Sequence, residues 1–336
     1  MVVRDNKVMP AENVEEILKL LPSLSQLADI EFEVLSNKDS TNVNHADWAR
    51  ITYEIAKKMD QYDAFLITHG TNTMAYTASA LSIALGRGLQ KPVAFTGSQL
   101  PLTVYGNDAR FNFENAVKVL VTACEENVAE VMIVFSDVVL RGSRAVKISE
   151  SAFRAFQSPA FPTIADITST GVHFNYHTHK REPEIPFEIK PHFIPGILSI
   201  DMTPGQLPDL FETIVTSGKC KGIILKSHGA GSVPTDGPYN FIPFIKRTVH
   251  DYKIPVVVST KFLGGNSYKE VNDECAVLAV EAGAIPSGDL TDVMTEIKLM
   301  WIIAQGANSI GEVRKQILAE YIGEITGAKV KSLSQA

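Results

Sequence analysis

Cysteine is scarce in this chain, and so are long runs of like charge. Cys124, Cys220 and Cys275 lie far apart. Their odd number and the lack of any CxxC spacing argue against a disulfide framework or a cysteine zinc site, and point to small buried thiols in a reducing compartment. No Lys/Arg run exceeds a pair and the formal net charge is -7, so a nucleic-acid partner has no electrostatic footprint here. A stretch of 18 apolar residues is also missing, which leaves no membrane-spanning segment in the sequence. MVVRDNKVMPAEN, at the N-terminus, lacks the apolar core of a signal peptide, so the expected location is the cytoplasm. Nor is there a G-x-G-x-x-G after a strand, a G-x-x-x-x-G-K-[ST] loop or a G-x-S-x-G elbow. Nucleotide cofactors and serine-hydrolase chemistry therefore have no support.

What is present is a soluble globular composition, 45% hydrophobic and 21% charged over 336 residues, enough for one large or two medium domains. Asn13 and Glu16 have capping-box spacing ahead of Val14, Ile17, Leu18 and Leu21, a helix that Pro22 ends. Ile30, Phe32 and Val34 alternate with acidic residues as a half-exposed strand, and Trp48, Ile51 and Ile55 pattern a helix. Strands are predicted at 64–67, 93–95 and 131–135, with helices at 74–85 and 111–124 between them. This rhythm implies an α/β fold with a mainly parallel sheet. From about 160 to 195 it dissolves into a Pro-, His- and Thr-rich segment that reads as an interdomain connection. It restarts with strands at 197–200, 223–226 and 256–259 and helices at 208–216, 242–251, 274–282, 291–304 and 310–322. The predicted organisation is thus a larger N-terminal α/β domain (1–165), a connection (166–195) and a smaller C-terminal α/β domain (196–325).

THGTNT, residues 68–73, is the densest polar cluster. It follows a buried-strand run and opens into a helix, the position where open α/β sheets carry their chemistry. Gly70 permits a tight turn, Asn72 or Thr73 suits a helix cap, and the helix N-terminus favours nearby negative charge. Ser40, Thr41, Ser98, Gln99, Arg144 and Lys147 are further polar residues at predicted strand ends. A threonine hydroxyl becomes a nucleophile only when a base accepts its proton, and a desolvated lysine does this near neutral pH, so Thr71 with Lys147 suits acyl transfer. The plain alternatives are an ordinary helix cap for Thr71 and a solvated surface charge for Lys147. His69 suits either a structural bond within the turn or a catalytic role, and His173, His177 and His179 fit an exposed loop better than a metal site.

Five further segments, with HGTNTMAYTAS at 69–79, carry a resemblance: FTGSQLPL at 95–102, NDARFNFENA at 107–116, RGSRAVK at 141–147, SHGAGSVP at 227–234 and GDLT at 288–291. Over about residues 8 to 325 the chain resembles bacterial-type L-asparaginases, and among them the cytosolic type I branch. The resemblance implies two α/β domains, a homodimer or homotetramer, and cofactor-free hydrolysis of L-asparagine to the acid and ammonia, with L-glutamine as a second candidate substrate. It implies that Thr71 is the signature threonine and Lys147 the lysine that activates it, that Ser40 and Thr41 hold the substrate's α-carboxylate, and that Ser98 lies near the pocket. Asn72 falls where the family has an aspartate gripping the α-ammonium, a charge-assisted contact of about 1.5–3 kcal/mol. The family also begins with a strand and a TGGTI turn that supplies a first nucleophilic threonine. No such segment precedes Arg4, and residues 1–10 look like the sequence that normally follows that turn. Two other expectations stand beside the hydrolase: an amidotransferase component feeding ammonia to charged tRNA, which usually carries an extra N-terminal domain, and a catalytically impaired homologue serving as an amino-acid sensor or scaffold.

Overall fold

The computed structural model describes residues 2–4, 7–9, 24–265, 267 and 273–326; the helix expected from Asn13 to Leu21 lies outside them. The chain divides into two compact units, Met1–Pro191 and His192–Ala336.

In the first unit, β1 (Val2–Arg4) and β2 (Lys7–Met9) form a two-stranded antiparallel hairpin. The main sheet holds β3 (Phe65–Thr68), β4 (Val93–Thr96), β5 (Val131–Phe135), β6 (Val138–Arg141), β9 (Ala165–Thr168) and β10 (Gly171–Phe174) in the order β10-β9-β6-β5-β4-β3. The side that carries the polar turns is parallel, β3 to β4 and β4 to β5. Beyond it the pairs β5–β6, β6–β9 and β9–β10 are antiparallel, so the sheet is mixed. Ser136 joins β5 to β6 with a positive φ of 55°, as a tight hairpin requires. β7 (Val146–Lys147) and β8 (Phe156–Gln157) form a second small hairpin.

Three helices belong to this unit. α1 (His45–Lys57) starts with a full capping box between Asn44 and Asp47 and buries Trp48, Thr52 and Ile55. α2 (Met74–Leu85) has every residue but Tyr76 buried, which its run of Ala, Ser and Leu permits because small side chains let neighbouring backbone approach from all sides. α3 (Ala109–Glu125) lays Ala116, Val119, Leu120 and Ala123 on Ala94, Met132 and Val134 of the sheet.

Some expectations are corrected. Residues 30–34 are not in a strand: Phe32 and Val34 are exposed, so the alternation has no buried face to pin a ladder. The first part of the segment read as a connection, 165–174, is the β9–β10 hairpin of the first sheet. The Pro-rich part is also tied to this unit, by Lys190 N–H donating to Ala84 O at 2.7 Å and by the Arg87–Glu182 ion pair. The division falls at 191, inside the stretch 166–195 expected to connect the two domains.

The second unit has a fully parallel sheet, β11 (Ile197–Asp201), β12 (Gly222–Ser227), β13 (Val256–Thr260) and β14 (Ile285–Pro286), in sequence order. Its helices are α4 (Glu212–Thr216), preceded by a 3-10 turn at Pro208–Phe211, α5 (Ile242–His250), α6 (Glu274–Glu281), α7 (Asp292–Ala304) and α8 (Ile310–Leu318). α8 stops short of the expected 322. Lys298 Nζ takes the carbonyls of Ile317 and Ala319 (2.9 and 2.5 Å) and pairs with Glu324 (2.6 Å), both side chains fully buried. Glu324 in turn accepts the N–H groups of Tyr321 and Ile322. Two carbonyls at the C-terminal end of α8, those of Ile317 and the following Ala319, are thus satisfied by a side chain.

Candidate active site

Thr71, Asn72 and Thr73 occupy the turn between β3 and α2. His69 N–H donates to Thr96 O (2.9 Å), which keeps the turn beside the loop after β4. Gly97 allows this closeness: a Cβ there would sit 2.3 Å from His69 O. Gly70 does the same on the other side, where a Cβ would lie 2.7 Å from Ser40 Oγ. Exchanging Gly97 for alanine should therefore force the two backbones apart and lower stability by about 1–3 kcal/mol. Urea unfolding checks this; an unchanged midpoint would show that the loops can shift at no cost.

Lys147 reaches the same turn from a distant part of the sequence. After β6 the chain makes a buried 3-10 turn, Gly142–Arg144, docked on α2 by Ser79 Oγ–H donating to Gly142 O (3.1 Å). β7 then carries Lys147 opposite Phe156. One helix thus supports both partners, Thr71 at its N-terminus and, through the docked turn, Lys147. Lys147 Nζ donates to Thr71 Oγ1 and to Asn72 Oδ1, each at 2.9 Å. Burial pushes the Lys147 ammonium below the usual lysine range, with Glu150 acting in the opposite direction.

Around this pair, Thr71 Oγ1–H donates to Gln99 Oε1 (3.2 Å), and Gln99 Nε2 donates to Ala152 O (3.0 Å). Asn72 Nδ2 donates to Thr41 Oγ1 (3.4 Å). Thr73, a cap candidate in the sequence, makes no capping bond; its hydroxyl donates to Ser40 O (2.5 Å). Ser40 is buried and starts a 3-10 turn, Ser40–Asn42, capped by Asp39, whose carboxylate accepts Thr41 N–H (2.8 Å); this bond holds the Asp39 carboxyl below its usual range. Ser98 is half-buried beside Gln99, and it is Gln99 whose side chain meets Thr71.

The geometry separates other candidates from this group. Arg144 is buried with its guanidinium 4.9 Å from the centre of the Phe161 ring. His69 braces the turn: with Nδ1–H donating to Gly70 O (2.7 Å), Nε2 accepts from Thr77 Oγ1 (3.0 Å), and burial lowers the ring's pKa, which favours its neutral form. His173 meets Thr170, His177 packs against Tyr176 and meets Phe161 edge to face, and His179 lies beside Glu130. Among the described residues no group of three His, Cys, Asp or Glu side chains is placed to hold a metal ion.

Two organising residues went unrecognised in the sequence. Asp108 accepts the N–H groups of Gln99 and Leu100 at 3.0 Å, and Asn112 Nδ2 donates to Gly97 O and to Asp108 at 2.9 Å. Together they set the loop that carries Gln99. Their spacing of four at the start of a helix puts them on one face, which was the available signal in NDARFNFENA.

Residues 1–181 match the family described as "Asparaginase, N-terminal" and 197–317 match "Glutaminase/Asparaginase C-terminal domain". The chain belongs to the asparaginase family. It is 34% identical over 301 residues to the L-asparaginase of Thermococcus kodakarensis, covering 90% of this chain and 88% of that one. The solved structure of a thermostable L-asparaginase from the same organism superposes with a TM-score of 0.87 at 32% identity, covering 97% of this chain and 95% of that one. L-asparaginase 1 of Escherichia coli is 32% identical over 292 residues, 86% of this chain and 82% of its own. A glutamyl-tRNA(Gln) amidotransferase component of Pyrococcus furiosus is 32% identical over 328 residues, 95% of this chain and 72% of its own. Among the described residues no helix is long and apolar enough to cross a membrane.

Proposed function

We propose that this protein is an amidohydrolase that converts L-asparagine to L-aspartate and ammonia, with Thr71 as nucleophile and Lys147 as its base. The contact of Lys147 Nζ with Thr71 Oγ1 at 2.9 Å carries the reading. When Lys147 is protonated it donates to Thr71, whose own proton points to Gln99. Once deprotonated, its amine accepts the hydroxyl proton instead, and burial, which lowers the lysine pKa, favours that state. Thr71 Oγ1 then adds to the amide carbon while its proton moves to Lys147. Collapse expels ammonia, which takes that proton, and water hydrolyses the acyl-threonine to the carboxylate. The α2 N-terminus favours the charge that builds on the carbonyl oxygen. Ser40 and Thr41 are assigned to the α-carboxylate end, Asn72 to the α-carbon and Ser98 to the rim. Ammonia release from L-asparagine and L-glutamine, with Thr71→Ala as the blank, tests the reading; rates no higher than the blank would remove it.

A second reading, ammonia supply for tRNA-dependent transamidation, draws on the Pyrococcus furiosus match. Free ammonia released with no tRNA present decides for the first. A cytoplasmic location and a homodimer or homotetramer complete the proposal. The free cysteines suit the former. The exposed Leu207, Leu210 and Ile214 suit the latter, since apolar surface of this kind is commonly covered by a partner. Light scattering at the mass of a monomer, 36.7 kDa, would exclude the assembly.

A further inference from the structure

Gln99 stands outside the Thr71–Lys147 pair, yet both ends of its carboxamide are engaged. Oε1 accepts the Thr71 hydroxyl (3.2 Å), and Nε2 donates to Ala152 O (3.0 Å) and Ser149 O (3.4 Å). A carboxamide nitrogen only donates, so these two carbonyls fix which end of the side chain faces the threonine. The loop that offers them joins β7 to β8 and begins immediately after Lys147. Ser149 shapes it, with Oγ accepting the N–H groups of Ser151 and Ala152 (3.2 and 2.9 Å), and Ile148 N–H donating to Ala155 O (2.8 Å) closes its base. The backbone of Gln99 is held in turn by the buried Asp108.

These bonds form a circuit. Lys147 Nζ reaches Thr71 Oγ1 (2.9 Å), Thr71 reaches Gln99, Gln99 reaches the 148–155 loop, and that loop runs back into Lys147. A threonine side chain has more than one staggered position available, and only one of them can keep Oγ1 beside a given base. A donor and an acceptor on the same hydroxyl select that position. Misplacing a reacting atom by about 1 Å can cost on the order of 10²-fold in rate, so the acceptor has kinetic weight although it transfers no proton.

We propose that Gln99 is a positioning residue: by closing this circuit it holds Thr71 Oγ1 against Lys147 Nζ, and it acts through Thr71 and not on the substrate. This deepens the amidohydrolase reading and rests on it. Gln99→Met keeps the length of the side chain but neither its acceptor nor its donors. It should lower kcat for L-asparagine about 10–100-fold and leave KM within threefold of wild type. In a Lys147→Met background the same substitution should cost less than threefold, because holding the hydroxyl to an absent base has no further effect. A kcat within threefold of wild type, a loss carried by KM, or an equal loss in both backgrounds overturns the proposal. Should Gln99→Met misfold, or Lys147→Met show no rate above the Thr71→Ala blank, Gln99→Glu gives a readout that needs no turnover. Lys147 Nζ and Gln99 Oε1 both lie about 3 Å from Thr71 Oγ1, hence within about 6 Å of each other, where a carboxylate favours the charged amine. The NMR titration of the Lys147 ε-methylene, assigned by its loss in Lys147→Met, should move up by at least half a pH unit in Gln99→Glu; an unmoved midpoint overturns the circuit. If the wild type releases no ammonia from asparagine, the amidohydrolase reading falls, while the lysine titration still decides whether Gln99 belongs to the circuit.

Discussion

Replacing Lys147 by methionine is expected to lower kcat for asparagine hydrolysis by about 10²–10⁴-fold, the usual worth of a positioned base, and Thr71→Ala, which removes the nucleophile, by at least as much. Methionine keeps most of the lysine stem but cannot accept a proton from Thr71 Oγ1, 2.9 Å away in the native site. The pH profile gives a separate signature. Wild-type kcat/KM should rise with pH, with a midpoint below the ordinary lysine range, because the neutral amine is the active form and burial favours it. Residual activity of the methionine variant should lack that limb. Stability should also rise with pH. The folded protein holds the Lys147 proton less tightly than the unfolded chain, so below the folded pKa the buried charge opposes folding, and that penalty fades as pH rises toward the unfolded value. Lys147→Met removes the penalty at neutral pH, and its urea midpoint should be no lower than that of the wild type. A variant that loses activity and unfolds earlier would mark Lys147 as a structural residue.

The second large effect lies away from the site. Glu130→Ala should cost about 3–5 kcal/mol of stability in chemical unfolding, the range for removing one member of a buried ion pair. Glu130 and Arg141 are 5% and 3% exposed and paired. Arg141 also donates to His177 O (2.6 Å) and lies 4.6 Å from the centre of the Phe161 ring, while Glu130 accepts His179 N–H (3.0 Å). Without the carboxylate a guanidinium stays buried, and the neighbouring imidazole offers no help. His179 is pushed down to about 3, first by burial and then by Arg141 and Arg87, so it is neutral at any working pH. An unfolding free energy within about 1 kcal/mol of wild type would show that Arg141 finds another partner or solvent.

Sequence and structure agree where the information is local. The run of Ala, Ser and Leu after Thr73 predicts a helix at 74–85, and α2 spans those residues because every turn of it depends on neighbours in the chain. The β-branched and aliphatic runs that become β4, β5, β12 and β13 were legible for the same reason. Agreement fails at β6, β9 and β10. They are short, partly polar segments that become strands by pairing with a partner already present, and the alternating β and α rhythm conceals antiparallel additions of this kind.

The chemistry divides along the same line. Local sequence determined that a hydroxyl-rich turn would end a strand and open a helix, since strand length, Gly70 and the helix pattern are all encoded within a few residues of Thr71; the strand, expected to be buried, is only half-buried because it lies at the edge of its sheet. Only the tertiary structure decided that Lys147, 76 residues along the chain, meets that hydroxyl, that Arg144 three residues earlier is buried over Phe161 instead, and that Asn72 is locked with its carbonyl toward the lysine. These outcomes depend on the docking of one buried 3-10 turn against α2, a long-range contact whose free energy is spread over many side chains and therefore leaves no pattern at any single stretch of sequence.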